Sequence, residues 1–193
     1  MINSIPKYRK VMLVATLVAT GVVLASCENM QSKSSAAPAA GKMSIQAMTE
    51  MAMGNMKKIM MLSSQDRQAY VMKTQQDSMK HGESLFASAS LGSNGFTCST
   101  CHPGGKTTGG KVPMGKMEMA IPSLVGVAAT FPKFKPGNDA VITLAEMNNN
   151  CVVMFMKGQP IPLGSSNARD LAFFITNLSK NVPLTPGKQS MEM

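Results

Sequence analysis

Tryptophan is absent from the 193 residues, and seven phenylalanines and two tyrosines are the only large aromatic side chains. That scarcity excludes a large aromatic core, so a domain of this composition must find apolar burial elsewhere. Histidine occurs only at His81 and His102, which leaves no second ligand pair for a zinc site. Acids are also few, ten against nineteen lysines and arginines. Cysteine appears four times, at 27, 98, 101 and 151. Strand patterning is missing too: the glycine- and proline-rich middle carries no convincing run of strands, and nothing near the cysteines reads as a βαβ unit.

What is present begins with an export segment. MINSIPKYRKVMLVATLVATGVVLASC opens with Lys7, Arg9 and Lys10, followed by an apolar run from Val11 to Leu24. The run is short for a bilayer, which needs about 20 apolar residues, and it ends in small residues, as a cleavable signal does. Leu24-Ala25-Ser26-Cys27 resembles the lipobox of bacterial lipoproteins. That likeness implies a signal over 1–26, acylation of Cys27, and a chain held at the periplasmic face of a bacterial membrane by its N-terminal lipid. An uncleaved anchor helix is the alternative, and either reading places the remainder outside the cytoplasm. Without the three signal cations the chain carries net +6. Nucleic acid is not an expected partner of an exported lipoprotein. A redox partner with an acidic docking surface suits the charge better.

Residues 27–42 read as a flexible tether, small, polar and broken by a proline. Residues 43–78 are rich in helix formers and lack proline, predicting one or two helices with a break and a new N-cap near Ser63-Ser64-Gln65-Asp66. Nine methionines lie between 43 and 80, and Met48, Met51, Ile59 and Leu62 approximate one face. Adaptable packing is the favoured role for these methionines. Soft thioether ligation of Cu(I), in a copper-handling lipoprotein, is the alternative.

Cys98 and Cys101 belong to FTCSTCHPGG. C-x-x-C-H is the attachment sequence for a c-type haem, the two thiols bonding one porphyrin while His102 reaches the iron. Export agrees, since this attachment happens outside the cytoplasm. DSMKHGESLFASASLG reads as a helix ending near Gly92, with Gly82 and Phe86 on one face. NARDLAFFITNLSK reads as an amphipathic helix capped by Ser165, Ser166 or Asn167, with Leu171, Phe174, Ile175 and Leu178 on its apolar side.

Over residues 79–187 these pieces resemble class I cytochromes c. The likeness implies an all-α fold, a small cytochrome c domain around one covalently attached haem c; the Met-rich helical segment before it and a disordered tail at 188–193 lie outside the resemblance. It implies that Gly82 admits the C-terminal helix, that Phe86 packs on that helix, and that the Pro122 carbonyl in IPSL accepts the Nδ1 proton of His102.

Cys151 has no cysteine left to pair with. An inert thiol, an intermolecular disulfide and an iron ligand remain open for it. Distal-ligand candidates also include Met114, Met117, Met119, Met147, Met154, Met156, His81 and lysines, with His81 expected at the surface. VITLAEMNNNCVVMFMKGQPIPLGSSNARDLAFFITNLSKNVP resembles the haem-domain ending of Sox-type sulfur-oxidation cytochromes and thiosulfate dehydrogenases. There the matching cysteine supplies a thiolate to the iron, which makes Cys151 the expected distal ligand and Met156 its alternative. Those families carry an arginine and a polar residue just after the cysteine, where this chain has VVMF. The expected function is one-electron transfer, with Lys106, Lys111, Lys133 and Lys157 ringing the haem edge. A haem–thiolate subunit that oxidises thiosulfate or a related sulfur anion is the enzymatic alternative.

Overall fold

A computed structural model describes residues 44–106, 110–114 and 116–189. The expected signal, the lipid-bearing Cys27, the tether and residues 190–193 of the tail lie outside the described residues. The chain forms two compact units, Met1–Ala47 and Met48–Met193. The first is described only from residue 44. Among the described residues no helix is long and apolar enough to cross a membrane.

Helix α1 (Ile45–Met60) and helix α2 (Ser64–Ala87) meet at the expected break. Ser63 Oγ accepts the Asp66 backbone N–H at 3.1 Å and donates to the Asp66 carboxylate at 2.7 Å. The Arg67 guanidinium donates to the Met60 and Leu62 carbonyls at 3.3 and 3.2 Å, occupying acceptors that the end of α1 leaves open. A cap of this kind contributes ~1 kcal/mol. Neither α1 nor residues 64–77 of α2 bury a side chain. Met48, Met51, Met53, Met56, Met60, Met61 and Met72 are 52–77 % exposed. The packing role expected of these methionines is therefore corrected: among the described residues they have no core to pack into.

Burial begins late in α2. Gly82, Leu85 and Phe86 are buried there and face α5 (Ser166–Asn177), whose Ala168, Leu171 and Ile175 are buried in turn. A Cβ at Gly82 would lie 2.1 Å from the Asp170 carbonyl oxygen, so the crossing requires a residue without one. One turn on, the Phe86 and Phe174 rings meet with centroids 5.2 Å apart. His81 Nδ1 lies 2.7 Å from the Asp170 carboxylate. Ser165 caps α5 through the Ala168 N–H at 3.2 Å.

The boundary expected after residue 78 falls inside α2, which runs unbroken to Ala87 and stops short of Gly92. Ser88 ends it: its Oγ accepts the Ser90 N–H, giving the backbone an alternative to the helix, and a 3₁₀ turn Ala89–Leu91 follows. The middle of the chain is not free of strands, contrary to expectation. Strands β1 (Lys111–Met114) and β2 (Met117–Ala120) form one antiparallel ribbon, and β3 (Lys133–Lys135) and β4 (Ala140–Ile142) form another. Each strand is three or four residues long, and β2 is exposed throughout. Such strands carry too little alternation to be read from sequence.

One-turn helix α3 (Cys98–Cys101) and helix α4 (Leu144–Met154) complete the domain. A reciprocal cap starts α4: Thr143 N–H donates to the Glu146 carboxylate at 2.7 Å, and Glu146 N–H donates to Thr143 Oγ1 at 3.3 Å. The core gathers Leu85, Phe86, Val152, Met156, Ile161, Ala168, Leu171 and Ile175.

Gly82→Ala is expected to destabilise the domain by ~1–3 kcal/mol through overpacking. Chemical denaturation measures it: the midpoint falls, whereas Gly54→Ala, with open space around it on α1, leaves the midpoint unchanged or higher.

Candidate cofactor site

The attachment motif is shaped by its own side chains. Thr97 Oγ1 accepts the Thr100 N–H, and Thr97 N–H donates to Thr100 Oγ1, both at 3.0 Å. This closed cap winds Cys98–Cys101 into one helical turn, which sets the two thiols three residues apart on neighbouring faces. His102 follows directly, its N–H bonded to the Cys98 carbonyl at 2.9 Å.

The His102 ring is fixed from outside the motif. Its Nδ1 lies 2.8 Å from the Pro122 carbonyl, so Nδ1 donates and Nε2 keeps its lone pair. Two further bonds hold Pro122 in place. Leu124 N–H donates to the Gly105 carbonyl at 3.0 Å, and Ser123 Oγ donates to the Lys106 carbonyl at 2.8 Å. Burial pushes the His102 pKa down, and the Pro122 bond opposes it. A neutral imidazole with a free Nε2 is the metal-binding form.

Opposite elements complete a cavity of about 480 Å³, within the ~300–1,000 Å³ typical of small-molecule sites. Leu144, Met147, Asn148, Cys151 and Phe155 of the α4 region line it, at the i, i+3, i+4, i+7 spacing of one helical face. Phe86, Ile121, Leu124, Val127, Phe131 and Ile175 supply apolar walls.

The loop before the motif is stitched to the end of α4. Ser93 N–H and Oγ donate to the Met156 and Lys157 carbonyls at 2.9 and 2.8 Å, and the Asn94 amide donates to the Phe155 carbonyl at 2.8 Å. The crossing is tight enough that a Cβ at Gly158 would lie 1.9 Å from the Leu91 carbonyl oxygen. This seam fixes Cys98 and Cys101 relative to Cys151.

The sequence-expected site residues Cys98, Cys101, His102, Pro122, Cys151 and Met156 all line this one cavity. Burial, with repulsion from Cys151 and Cys101, pushes the Cys98 thiol up to about 12. Burial, with repulsion from Cys101, pushes Cys151 up to about 11, and Lys135 opposes the shift. Met119 and Met147 also line the cavity, while Met117, Met154 and His81 do not. The side chain of Met114 lies outside the described residues.

Lys133 departs from expectation. It was expected on an exposed docking rim, but it is only 7 % exposed and forms part of the cavity wall. Asn148 is a site residue that sequence reasoning missed, and the low exposure of Lys133 was missed with it. A lysine three residues before a proline-glycine turn and one asparagine of a triplet carry no signal of burial.

The residues fit a haem. The walls are apolar, two thiols and a neutral imidazole converge on one side, and a further thiol lies on the α4 face. Among the described residues no aspartate or glutamate lines the cavity. Asn148 Nδ2 is buried without a hydrogen-bond partner, a donor that a bound group with acceptors would satisfy.

The family described as "SoxA/TsdA, cytochrome c domain" matches residues 81–184. None of the curated proteins compared matches the chain. Among solved structures, "Crystal structure of SoxXA from P. pantotrophus" is 19 % identical over 60 % of this chain and 37 % of that one, with a TM-score of 0.46. This chain therefore spans well under half of that protein's length.

In the folded, haem-free chain, Cys151 is expected to alkylate on the order of 100-fold more slowly than an ordinary thiol near neutral pH, because the thiolate is the reacting species. Iodoacetamide labelling resolved by mass spectrometry checks this. Denaturant should remove the protection, and equal rates in the folded and unfolded chain would contradict the buried thiol.

Proposed function

From its membership of the SoxA/TsdA cytochrome c domain family, to which this chain belongs, we propose that it is an exported, lipid-anchored, monohaem c-type cytochrome that passes single electrons. The observation that carries this reading is the His102–Pro122 bond beside the Cys98 and Cys101 thiols in one apolar cavity. When bound, the haem supplies a one-electron Fe(III)/Fe(II) couple. Cys98 and Cys101 hold it covalently, and the Pro122 carbonyl orients His102 and raises its basicity.

Cys151 is the proposed distal ligand. Both Cys151 and Met156 line the cavity, but Met156 is 3 % exposed and packs in the hydrophobic core with Leu85, Phe86 and Val152, whereas Cys151 lies outside that cluster with a free thiol. A coordinating thiol loses its proton outright, which reverses the protonation that burial favours in its absence. An anionic thiolate stabilises Fe(III) and lowers the potential, and a neutral thioether raises it.

Residues 1–26 act as the export signal, residues 27–42 as the tether and residues 79–187 as the electron-transfer domain. The lipid at Cys27 keeps the domain near its redox partner, raising effective concentration without a tight interface. Lys106, Lys111 and Lys157 are exposed and suit an acidic docking surface.

Family membership also favours a second reading, a haem–thiolate subunit acting on thiosulfate or a related sulfur anion. The positions after Cys151 supply no cation for such an anion. Val152 is fully buried in the core, and Phe155 lines the cavity. Turnover with thiosulfate decides between carrier and enzyme.

A copper-handling role for the N-terminal segment draws on a separate observation. Met53, Met56 and Met60 are exposed at i, i+3, i+7 on α1, a spacing that sets thioethers on one face for a soft ion. Competition titration with a Cu(I) chelator should then show binding that survives loss of Cys98 and Cys101 and disappears when the three methionines become leucine. Binding unaffected by those leucines would end this reading.

Cys151→Met should keep a six-coordinate haem and raise the midpoint potential. Cys151→Ala should give high-spin iron or recruit a neighbouring methionine, and Met156→Ala should leave the spectrum near that of the parent. Optical spectroscopy, EPR and potentiometry read all three. A silent Cys151→Ala with a shifted Met156→Ala would reassign the ligand to Met156.

A further inference from the structure

Lys133 is a lysine with little exposure and, among the described residues, no carboxylate partner. It is 7 % exposed, and the ion pairs among the described residues are Lys73–Asp77, His81–Asp170 and Lys111–Glu118. Its Nζ sits 4.9 Å from the centroid of the Phe131 ring. A cation–π contact of this kind offsets only part of the cost of drawing an ammonium away from water. The contact alone does not balance the burial. Desolvation and the neighbouring Lys135 both push the Lys133 pKa down, the direction expected of a cation lacking an anion.

The surroundings narrow what the missing anion is. Lys133 and Lys135 both stand on β3 and both line the cavity, joined by Lys188 and Gln189 from the chain's last described turn. That turn is tied down by Thr185 and Gly187 N–H bonds to the Ala129 and Thr130 carbonyls at 2.7 and 3.0 Å. Thr130 and Thr185 also reach the cavity. Among the described residues the remaining titratable groups on its wall are Cys98, Cys101, His102 and Cys151, and none is a carboxylic acid. The cavity thus has one cationic wall, on elements separate from the attachment motif and from α4. A haem bears two propionate carboxylates, and elsewhere the cavity is largely apolar.

We propose that Lys133, assisted by Lys135, holds the haem propionates, so that β3 is the clamp that orients the cofactor's carboxylate edge and neutralises its charge. This inference rests on the haem reading above. Because the β3–β4 ribbon carries the clamp, the ribbon is part of the binding site rather than a surface decoration. The pairing also acts on the potential: a propionate matched by an ammonium stabilises Fe(III) less than a bare one does.

The test uses the intact holoprotein. Covalent haem is first counted by the pyridine haemochrome assay on the parent, and absence of haem there would defeat the haem reading itself. Midpoint potential is then measured against pH for the parent, Lys133→Met, Lys133→Gln and Lys133→Arg. The parent and Lys133→Arg should share one profile. In Lys133→Met and Lys133→Gln the uncompensated propionate should shift the equilibrium toward Fe(III) on the order of tenfold at neutral pH, ~59 mV for one electron. The loss should close as the pH falls into the range where the variant's propionate is protonated and the parent's, held down by the ammonium, is still ionised, because there the pair is neutral in both proteins. A merely structural lysine would not give a deficit that disappears on acidification. Normal haem content with profiles that superimpose would overturn the proposal. A spectral response to added sulfite or thiosulfate that the parent has and Lys133→Gln lacks would also overturn it, assigning the lysine to a diffusible oxyanion. Should Lys133→Met fail to accumulate, Lys133→Gln, which keeps a polar donor, carries the same comparison.

Discussion

The crossing of α2 and α5 at Gly82 is the contact on which the rest of the domain hangs. Any side chain there would push against the Asp170 carbonyl, and separating the helices would pull Phe86 from Phe174 and open the core around Leu171 and Ile175. Those two helices also deliver Phe86 and Ile175 to the cavity wall. The packing that holds the fold and the surface that receives the cofactor are therefore two sides of the same helix pair. His81, one residue before the glycine, spends its ring on Asp170 across this seam, which accounts for one of only two histidines without any role at the iron.

Around that pair the site is assembled by loops, each secured by a few hydrogen bonds rather than by long elements. Asn149 brackets Ile161 through both its N–H and its carbonyl, at 2.8 and 2.9 Å, and the Ser93–Asn94 seam ties the attachment loop to the end of α4. Such bonds are individually worth about 1 kcal/mol. Their value lies in geometry, since side chains that line one cavity from elements far apart in sequence must be held at a set spacing. An apolar cavity walled by so few aromatic residues also leaves much of the domain's hydrophobic burial to the cofactor.

The Met-rich segment stands apart from this economy. Helix α1 buries nothing, and α2 is exposed until its last third, so one continuous helix joins a solvent-facing arm to the core of the domain. The composition that suggested adaptable packing is displayed outward instead.

The sequence by itself determined the C-x-x-C-H motif and the local elements. C-x-x-C-H, the break at Ser63 and the amphipathic helix over α5 depend on spacing within a few residues, and local spacing is what a sequence displays. The Gly82 and Pro122 contacts were legible only through resemblance, as both join residues far apart in the chain. Only the tertiary structure decided that Lys133 has little exposure, that Asn148 Nδ2 lacks a partner, that Met156 belongs to the hydrophobic core as well as the cavity wall, and that residues of three short strands line the site. The physical reason is common to all four. Burial and orientation are properties of which distant surfaces come together, and a lysine or a methionine reads the same in sequence whether water or another helix lies against it.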